Sequence, residues 1–342
     1  MKRVPFISII IPCFQERDFI GKCLDSLIEN SYPRDLIEIF VVDGGSADGT
    51  RDIVKKYQGR HPCIKLKDNP DRFPPSAMNR GIKESRGDII IRCDAHASYE
   101  KDYIQKLADW LVKDATIGNA GGIWINKPAS DSIKAEAIAG ALSSPLCVGP
   151  NRYRTGAKEA VFVDTVPFGA WRREIFDEVG LFNEEFLRAQ DLEFNMRLRK
   201  AGYKVLLDPG IKSCYFPRDG FLKLFRMMYQ IGYWKNFVNK KLKIISSARQ
   251  FFPPLFVLYL AALAVLLPVS VSFIIPLGIY AIIVSGASLA ITLKMRKPVI
   301  FPYCAAVFFL SHTGYGAGYL KGFWDIFVKR KAASDSSADI TR

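Results

Sequence analysis

The sequence is poor in two features, cysteine pairs and acidic charge. Its seven cysteines form no Cys-x-x-Cys pair, and several lie within apolar patterns, as small core residues do. This usage indicates a reduced, cytosolic setting for the soluble part of the chain. Acidic residues number 34 against 48 lysines and arginines, which gives a formal net charge of +14. A positive excess of this size points to nucleic acid, anionic lipid or an anionic substrate as a partner.

Charged side chains are missing from a long stretch in the C-terminal part. Residues 251–293 contain none, and residues 299–310 are apolar again, whereas roughly 20 apolar residues cross a bilayer once. Five lysines and arginines lie just before the first run, an arrangement that favours anionic headgroups over nucleic acid. We therefore predict a water-soluble domain over residues 1–240, with an interfacial amphipathic helix near 219–240, and a membrane anchor over 251–320.

The apolar stretches divide into two clear spans and one ambiguous segment. Residues 251–267 and 273–293 are long enough to cross, and the basic residues within 294–297 favour the cytoplasmic side. The segment 299–320 is followed by more lysines and arginines, so a third crossing would place basic residues outside. A re-entrant or interfacial segment avoids this conflict. Residues 332–342 are rich in serine, aspartate and alanine and predict a disordered tail.

Apolar strand patterns alternate with helical patterns in the N-terminal part of the chain. We predict strands at 6–11, 36–42, 64–67 and 88–93 and helices at 17–30, 76–85 and 99–112. The alternation is typical of an α/β fold with a doubly wound, mostly parallel sheet. The basic residues after Met1 do not indicate a signal peptide, because the apolar stretch is short and Pro12 leads into a polar segment.

Carboxylates follow three of the predicted strands. Glu16 lies just past the first strand, Asp43 ends the second, and Asp94 follows the isoleucine-rich strand at 88–93. Ligands of open α/β sheets bind at this carboxyl edge. Asp94 and His96 are two residues apart and can reach one divalent cation, which in turn can hold a diphosphate. A solvated strand end explains any one of these residues alone, but the series favours a functional site.

Several motifs occur in a fixed order over residues 6–236. They are Pro12-x-x-x-Glu16, Asp43-Gly-Gly-Ser46-x-Asp48-Gly-Thr50, Asn79-x-Gly81, Asp94-x-His96 and Gln190-Asp191-Leu-Glu-Phe-Asn-Met-Arg197. In this order and spacing, the chain resembles the inverting family-2 glycosyltransferases of the GT-A fold. The Asp-x-His form of the metal motif, together with the C-terminal apolar segments, is most similar to membrane-anchored exopolysaccharide glucosyltransferases of the succinoglycan type.

The resemblance implies transfer of a sugar, with inversion, from a nucleotide-sugar donor such as a UDP-sugar to a lipid-linked saccharide. It assigns donor binding to Pro12, Glu16, Asp43, Asn79 and Asp94, and Mn²⁺ or Mg²⁺ to Asp94 and His96. It assigns the general base to Asp191, and makes Gln190, Gln230 and Trp234 candidates for acceptor or diphosphate contacts. A sugar hydroxyl is a poor nucleophile until a base accepts its proton, which is why the chemistry needs a carboxylate here.

Asp94-x-His96 replaces the usual Asp-x-Asp of the family, and the chain departs from the family pattern at four further places. Gly44 stands where members often have a second Asp, so the identity of the nucleotide is open. Gln15 replaces a common Asn, and Gln190 replaces the Glu of a common Glu-Asp pair. Processive members carry Gln-x-x-Arg-Trp, whereas this chain has Tyr233 in place of the arginine. The last departure favours addition of one sugar over polymer synthesis.

The expected function is synthesis of a bacterial exopolysaccharide or other cell-surface polysaccharide. The expected location is the inner membrane, as a multi-pass protein with a cytoplasmic catalytic domain. One alternative is a polyprenyl-phosphate glycosyl transferase, whose phosphate acceptor needs no base. The other is a non-catalytic membrane assembly scaffold. The basic segment 151–154 fits either a lip over an anionic acceptor or a solvated loop, and His61 and His312 fit structural roles.

Overall fold

The computed structural model describes residues 3–149, 151–243 and 248–331. The chain forms two compact units. The first unit comprises Met1–Ile125 and Gly156–Tyr215, and the second comprises Asn126–Thr155 and Phe216–Arg342. The predicted disordered tail, residues 332–342, lies outside the described residues.

The first unit is built around a nine-stranded sheet. Its strands are β1 (Ile7–Cys13), β2 (Ile37–Asp43), β3 (Ile64–Asp68), β4 (Ile89–Arg92), β5 (Ala97–Tyr99), β6 (Ile117–Asn126), β7 (Val161–Phe162), β8 (Ala170–Arg172) and β9 (Lys204–Tyr215). The order across the sheet is β3-β2-β1-β4-β8-β6-β9-β5, and β7 pairs with β9.

The half of the sheet formed by β3, β2, β1 and β4 is parallel. Every residue of β1, β2 and β4 is buried, as apolar runs covered on both faces of a parallel sheet should be. In register, Cys13 pairs with Asp43, and Ile10 pairs with Arg92. The four predicted strands are therefore present, and neighbouring strands end at one edge.

The other half of the sheet is antiparallel, which makes the sheet mixed rather than mostly parallel. Strand β8 runs antiparallel to β4 and β6, and β9 runs antiparallel to β5 and β7. Strands β7 and β8 are only two and three residues long. Such short strands give little local pattern, and their partners are distant in sequence. The α/β prediction is confirmed, and its account of strand direction is corrected for this half.

Helices of the first unit pack on the sheet. They are α1 (Ile20–Ile28), α2 (Thr50–Arg60), α3 (Pro74–Glu84), α4 (Tyr103–Lys113), α8 (Glu174–Glu178) and α9 (Gln190–Lys200). The helices numbered α5 to α7 belong to the second unit. Helix α1 buries Cys23, Leu24 and Leu27, and α4 buries Ile104 and Leu107, all in the same core as β1 and β4.

The second unit is helical. It contains α5 (Ile133–Ala141), α6 (Pro145–Val148), α7 (Arg152–Thr155), α10 (Phe221–Leu242), α11 (Phe252–Leu266), α12 (Ile275–Met295) and α13 (Phe301–Phe323). A turn of π-helix, Trp324–Val328, follows α13. Helices α5, α10, α12 and α13 share one apolar core. The predicted break between two apolar stretches lies between α11 and α12, where Ser270 accepts a hydrogen bond from the Ser272 N–H.

Helix α10 uses one apolar side for packing within this unit. Leu224 and Met228 are buried in the core that includes α13. These two side chains are therefore covered by protein, and the interfacial position predicted for the helix near 219–240 is not decided by their burial. On α10, Leu222 and Ile231 are exposed, at 62% and 40%. An interfacial position for the rest of α10 stays a prediction.

Residues 301–323 form one uninterrupted helix, so the chain does not reverse there as a re-entrant segment would. The glycines of α13 allow a close approach to neighbouring backbone. A Cβ added at Gly314 would meet the Phe225 carbonyl oxygen at 2.9 Å, and one at Gly318 would meet the Tyr229 carbonyl oxygen at 2.0 Å. Small residues at a helix interface permit this approach in membrane and soluble bundles alike.

One helix among the described residues is long and apolar enough to cross a membrane by length and composition. It covers Val271–Met295 with a mean hydropathy of 2.2, and only 11% of its most apolar window is buried. The neighbouring apolar helix, Ala248–Leu263, is shorter than this criterion requires.

We predict that Gly318→Ala destabilises the second unit. A methyl group at this position overlaps the Tyr229 backbone, and overpacking of this kind costs about 1–3 kcal/mol. Gly286→Ala in α12 is the matched control, because no atom lies within 4 Å of a Cβ added there. Thermal unfolding of the purified full-length protein in detergent should show a lower midpoint for Gly318→Ala alone. Equal midpoints for the two variants would contradict the close packing of α10 and α13.

Candidate functional site

Three loops leave the carboxyl edge of the parallel half of the sheet. They follow β1, β2 and β4, which are neighbours in the order β2-β1-β4. The loops carry Glu16, the segment after Asp43, and the pair Asp94 and His96. Because parallel neighbours end at the same edge, the fold brings the three predicted acidic positions to one side of the sheet.

Asp43 ends β2 with its side chain fully buried. Its Oδ2 accepts from the N–H groups of Gly45 and Ser46 at 3.0 and 2.9 Å, and from Arg51 Nη1 at 2.9 Å. Its Oδ1 accepts from the Ser46 hydroxyl at 2.5 Å. This hydrogen bonding raises the pKa of Arg51. The carboxylate therefore shapes the loop that follows it, and its contact with a nucleoside stays a prediction.

The loop after β2 is fastened to the loop after β1 by three hydrogen bonds from successive backbone N–H groups. Gln15 donates to the Ser46 hydroxyl at 2.8 Å, and Glu16 donates to the Thr50 hydroxyl at 2.8 Å. The next N–H, of residue 17, donates to Asp48 Oδ2 at 3.1 Å. The polar residues of the Asp43 motif thus set the position of Glu16.

The Asp48 carboxylate accepts three hydrogen bonds in this arrangement. Burial raises its pKa, but hydrogen bonds from the Thr50 hydroxyl and N–H and from the residue 17 N–H outweigh burial and lower it overall. The ionised form is the one that can accept all of these bonds.

The structure shows the local backbone at two of the departures from the family pattern, Gln15 and Gly44. Gln15 has φ +57°, in the left-handed region that asparagine enters more readily than other non-glycine residues. A Cβ at Gly44 would lie 3.2 Å from the Arg72 Cα and 3.3 Å from the Phe14 ring. A side chain at position 44 would therefore require Phe14 or Arg72 to move.

Asp94 is held by a buried arginine from its own strand. Arg92 Nε and Nη2 both donate to Asp94 Oδ1, at 3.1 and 3.0 Å, and the Arg92 side chain is only 10% exposed. In the part of the chain that the structure describes, Asp94 Oδ2 receives no hydrogen bond from a side chain or backbone group. The Tyr99 hydroxyl accepts from the Asp94 N–H at 2.7 Å, so the turn that carries this carboxylate is also fixed.

His96 lies between two partners. Its Nδ1 is 3.0 Å from Glu16 Oε1, and its Nε2 is 3.3 Å from the Tyr215 hydroxyl. The imidazole is 24% exposed and the Glu16 side chain 10% exposed. The Tyr215 ring stacks on Trp124 with centroids 4.4 Å apart. Glu16 and His96, which the sequence assigned to different ligands, form one pair.

A divalent cation held by Asp94 and His96 and shared with a diphosphate stays a prediction. Among residues 3–149, 151–243 and 248–331, no group of three His, Cys, Asp or Glu side chains converges as a complete ligand set. Asp94 has one carboxylate oxygen turned away from Arg92, and His96 has one nitrogen engaged by a carboxylate. Mg²⁺ is commonly held by one or two carboxylates plus substrate phosphates, and an imidazole nitrogen suits Mn²⁺.

Asp191 is the second residue of α9 and is half-buried. Burial alone lowers the pKa of the Arg92 guanidinium, but the charges of Asp94 and Asp191 outweigh burial and raise that pKa overall. The predicted base and the predicted metal ligand therefore act on the same buried cation.

Other residues of the Asp191 motif anchor α9. Glu193 pairs with Arg197 at 2.8 Å and is buried, and Arg197 also donates to the carbonyl oxygens of Val179 and Leu181. Asn195 accepts from Asn119 at 2.8 Å. Because Glu193 is part of this anchor, replacing it would disturb the helix. A substitution of Glu193 is therefore an unsuitable control for a substitution of Asp191.

Strained backbone accompanies the site. Among the described residues of the first unit, four non-glycine residues have positive φ: Gln15, Arg72, Phe168 and Ala189. Gln15 precedes Glu16, Ala189 precedes α9, and Arg72 lies against Gly44. Such conformations cost on the order of 1–3 kcal/mol each and gather where function fixes the backbone.

The other residues predicted to contact donor or acceptor are buried or hydrogen-bonded to neighbouring protein groups. Asn79 uses its amide group on a nearby loop, donating to the Phe182 carbonyl and to Glu184 and accepting from the Phe182 N–H. Pro12 is buried within β1. Gln190, the first residue of α9, is 6% exposed. Donor and acceptor contacts for these residues stay predictions.

Gln230 and Trp234 belong to α10 in the second unit. Gln230 is 7% exposed and Trp234 2% exposed, and the Trp234 ring packs on Phe237. Tyr233, in place of the arginine of processive members, donates to Asp325 at 3.2 Å. Within the same unit, both nitrogens of His312 have partners, the Tyr280 hydroxyl and the Leu146 carbonyl, which agrees with a structural role.

Sequence reasoning missed Arg92 and Tyr215. For Arg92 a signal was present, because a charged residue ends an otherwise apolar strand only two positions before Asp94. Tyr215 gave no signal, since its approach to His96 depends on strand pairing between β9 and β5. Burial raises the pKa of the thiols of Cys23 and Cys93.

The chain is similar to sugar-transferring proteins along most of its length. The model of the family described as "Glycosyl transferase family 2" matches residues 8–180. Dolichyl N-acetyl-alpha-D-glucosaminyl phosphate 3-beta-D-2,3-diacetamido-2,3-dideoxy-beta-D-glucuronosyltransferase of Methanococcus voltae is 31% identical over 324 residues, covering 93% of this chain and 97% of that protein. Succinoglycan biosynthesis protein ExoA of Rhizobium meliloti (strain 1021) is 31% identical over 329 residues, covering 95% and 96%.

Two solved structures share the fold. The mannosyltransferase PcManGT from Pyrobaculum calidifontis, in complex with GDP-Man and Mn²⁺, has a TM-score of 0.59 at 21% identity, over 95% of this chain and 88% of that chain. S. aureus TarS 1–349, in complex with UDP, has a TM-score of 0.50 at 16% identity, over 92% and 91%. The predicted GT-A fold is confirmed.

Proposed function

The chain belongs to glycosyl transferase family 2, and we propose that it transfers one sugar, with inversion, from a nucleotide-sugar donor to a lipid-linked saccharide. The observation that carries the proposal is the meeting of the loops after β1 and β4 at one sheet edge, where Glu16 lies 3.0 Å from His96 and Arg92 lies 3.0 Å from Asp94.

The donor is proposed to bind at the carboxyl edge of the sheet. Asp94 and His96 would hold Mn²⁺ or Mg²⁺ against its diphosphate, and the bound cation would supply positive charge to the leaving group. The loop ordered by Asp43 would receive the nucleoside. The two structural neighbours contain GDP-Man and UDP, so a UDP-sugar, which is our preferred donor, and a GDP-sugar are both to be tested.

Asp191 is proposed to act as the general base. Its carboxylate takes the proton of the acceptor hydroxyl as the hydroxyl oxygen forms a bond to the anomeric carbon. The bond from that carbon to the diphosphate breaks, and the nucleoside diphosphate leaves with the electron pair. Attack opposite to the leaving group inverts the anomeric centre. Arg92 remains protonated throughout and limits repulsion between Asp94 and Asp191.

The acceptor is proposed to be a saccharide on a membrane lipid. The Methanococcus voltae relative is named for a dolichyl-phosphate-linked sugar, and the Rhizobium meliloti relative for succinoglycan biosynthesis. Tyr233 in place of the processive arginine supports single addition. The place of action would be cell-surface polysaccharide synthesis at the cytoplasmic face of a bacterial inner membrane.

We predict that Asp191→Asn lowers turnover by about 10²–10⁴-fold while donor affinity stays unchanged. The amide is nearly isosteric but accepts no proton, so the loss appears only in the transition state. Nucleoside diphosphate release should be measured with full-length protein in membranes, a panel of UDP- and GDP-sugars and lipid extract as acceptor.

The control for Asp191 is Asp177→Asn, an exposed carboxylate on α8, which should transfer sugar at the wild-type rate. Wild-type turnover in Asp191→Asn would point to a phosphate acceptor, as in a polyprenyl-phosphate transferase. Loss of donor binding would instead show that Asp191 builds the donor pocket. Absence of transfer by the wild type with every donor would favour the scaffold alternative.

We predict that transfer stops in excess chelator and returns with Mn²⁺ at least as well as with Mg²⁺, because His96 supplies nitrogen. His96→Ala should weaken both the metal response and donor binding, whereas His61→Ala, in the same unit, should change neither. Titration of activity and of UDP binding with each cation provides the measurement. Full activity in chelator would exclude the metal assignment of Asp94 and His96.

We propose that the second unit anchors the protein by two membrane crossings, α11 and α12. Helix α12 has the required length by itself. Helix α11 is apolar over 15 residues, and the preceding 3-10 turn Ala248–Phe251 extends it. Two crossings would return the basic residues Lys294, Arg296 and Lys297 to the cytoplasmic side, in agreement with the positive-inside rule.

We predict opposite readings from topology reporters placed on the two sides of α12. A reporter inserted within residues 268–272 should read outside, and one fused after Lys297 should read cytoplasmic. The measurement is a paired assay of alkaline phosphatase and a cytoplasmic fluorescent protein at each position. A cytoplasmic reading within 268–272 would show that α11 does not cross.

A further inference from the structure

The pair formed by Glu16 and His96 has a definite direction. Glu16 Oε1 lies 3.0 Å from His96 Nδ1, and an ionised carboxylate only accepts hydrogen bonds. Nδ1 is therefore the nitrogen that carries the proton. In a neutral imidazole the other nitrogen, Nε2, then has a lone pair and is able to bind a cation.

Glu16 is itself held in place. The Thr50 hydroxyl accepts from its N–H at 2.8 Å and donates to Asp48 Oδ1 at 2.6 Å. The carboxylate is one-tenth exposed, while the imidazole it faces is one-quarter exposed. The more accessible member of the pair is thus the histidine.

Tyr215 faces the other nitrogen at a longer distance. Its hydroxyl is 3.3 Å from Nε2, at the outer limit of a hydrogen bond, and the ring is braced by Trp124. A contact of this length is weak enough for a cation to replace. The short bond at Nδ1 is the one that fixes the ring.

We propose that Glu16 is a positioning residue for His96, which it holds as the Nδ1–H tautomer with Nε2 offered to the cation. This inference rests on the proposed use of a metal. The sequence-based role of Glu16 as part of the nucleoside pocket stays a prediction. Carboxylates behind metal-bound histidines set the tautomer and the basicity of the ligand in this way.

The first test is the tautomer of His96 in the metal-free, full-length protein. The chain has three histidines, so the ¹⁵N signals of the imidazoles can be assigned with His96→Gln. We expect the Nδ1–H form in the wild type and in Tyr215→Phe, and its loss in Glu16→Ala. A wild-type Nε2–H form, or an unchanged tautomer in Glu16→Ala, would overturn the proposal.

The second test is Mn²⁺ affinity, measured by electron paramagnetic resonance in the presence of UDP or GDP. Glu16→Ala should bind Mn²⁺ about 10–100-fold more weakly. Glu16→Gln should lose less, because its amide oxygen still accepts from Nδ1–H without the negative charge. Tyr215→Phe removes the other partner of the same ring and should not weaken binding. Equal weakening in Glu16→Ala and Tyr215→Phe would contradict a directional role.

The third test separates positioning from nucleoside contact. The loss of Mn²⁺ affinity in Glu16→Ala should exceed its loss of UDP and GDP affinity in chelator, because a nucleoside contact alone would weaken nucleotide binding equally with and without the cation. Thermal unfolding establishes that each variant is folded, and Glu16→Gln carries the comparison if Glu16→Ala is not. If the wild type binds no Mn²⁺ with either nucleotide, the proposed metal use fails. If the wild type binds and Glu16→Ala binds equally, only this inference fails.

Discussion

Negative charge at one sheet edge is the constraint on which this site depends. Carboxylates gathered at neighbouring strand ends repel one another, the more so where protein excludes water. Two of these carboxylates pair with arginines, Asp94 with Arg92 and the buried Asp43 with Arg51. Removing one member of a buried pair commonly costs on the order of 3–5 kcal/mol, because the other charge is left uncompensated. The edge is therefore organised before any ligand arrives.

The residues of the family motifs have two kinds of role, one in holding loops and helices in place and one in the proposed chemistry. Ser46, Asp48 and Thr50 fasten the loops after β1 and β2 through backbone N–H groups. Glu193 and Arg197 tie α9 to its surroundings. These residues take no direct part in the proposed reaction. They hold in place the residues that are proposed to bind the cation or accept the proton. A motif read along the sequence gives a set of residues, and the structure separates the scaffold from the chemistry within that set.

Much of the fold could be predicted because its signals are local. A buried parallel strand is a continuous apolar run, and the residue that follows the run lies at the ligand edge whatever its partners are. For this reason Asp43, Asp94 and His96 were located by pattern alone. The α/β class and the apolar helices follow from the same kind of signal, and the order of motifs was enough to indicate the family.

The sequence by itself determined which residues reach the carboxyl edge, and the tertiary structure decided which of them touch. Short antiparallel strands such as β8, the approach of Tyr215 to His96, and the pairing of Glu16 with His96 join segments far apart in the chain. The need for glycine at position 318 likewise comes from the nearby backbone of α10. Such contacts leave no local pattern, because their energy comes from a partner that the neighbouring sequence does not contain.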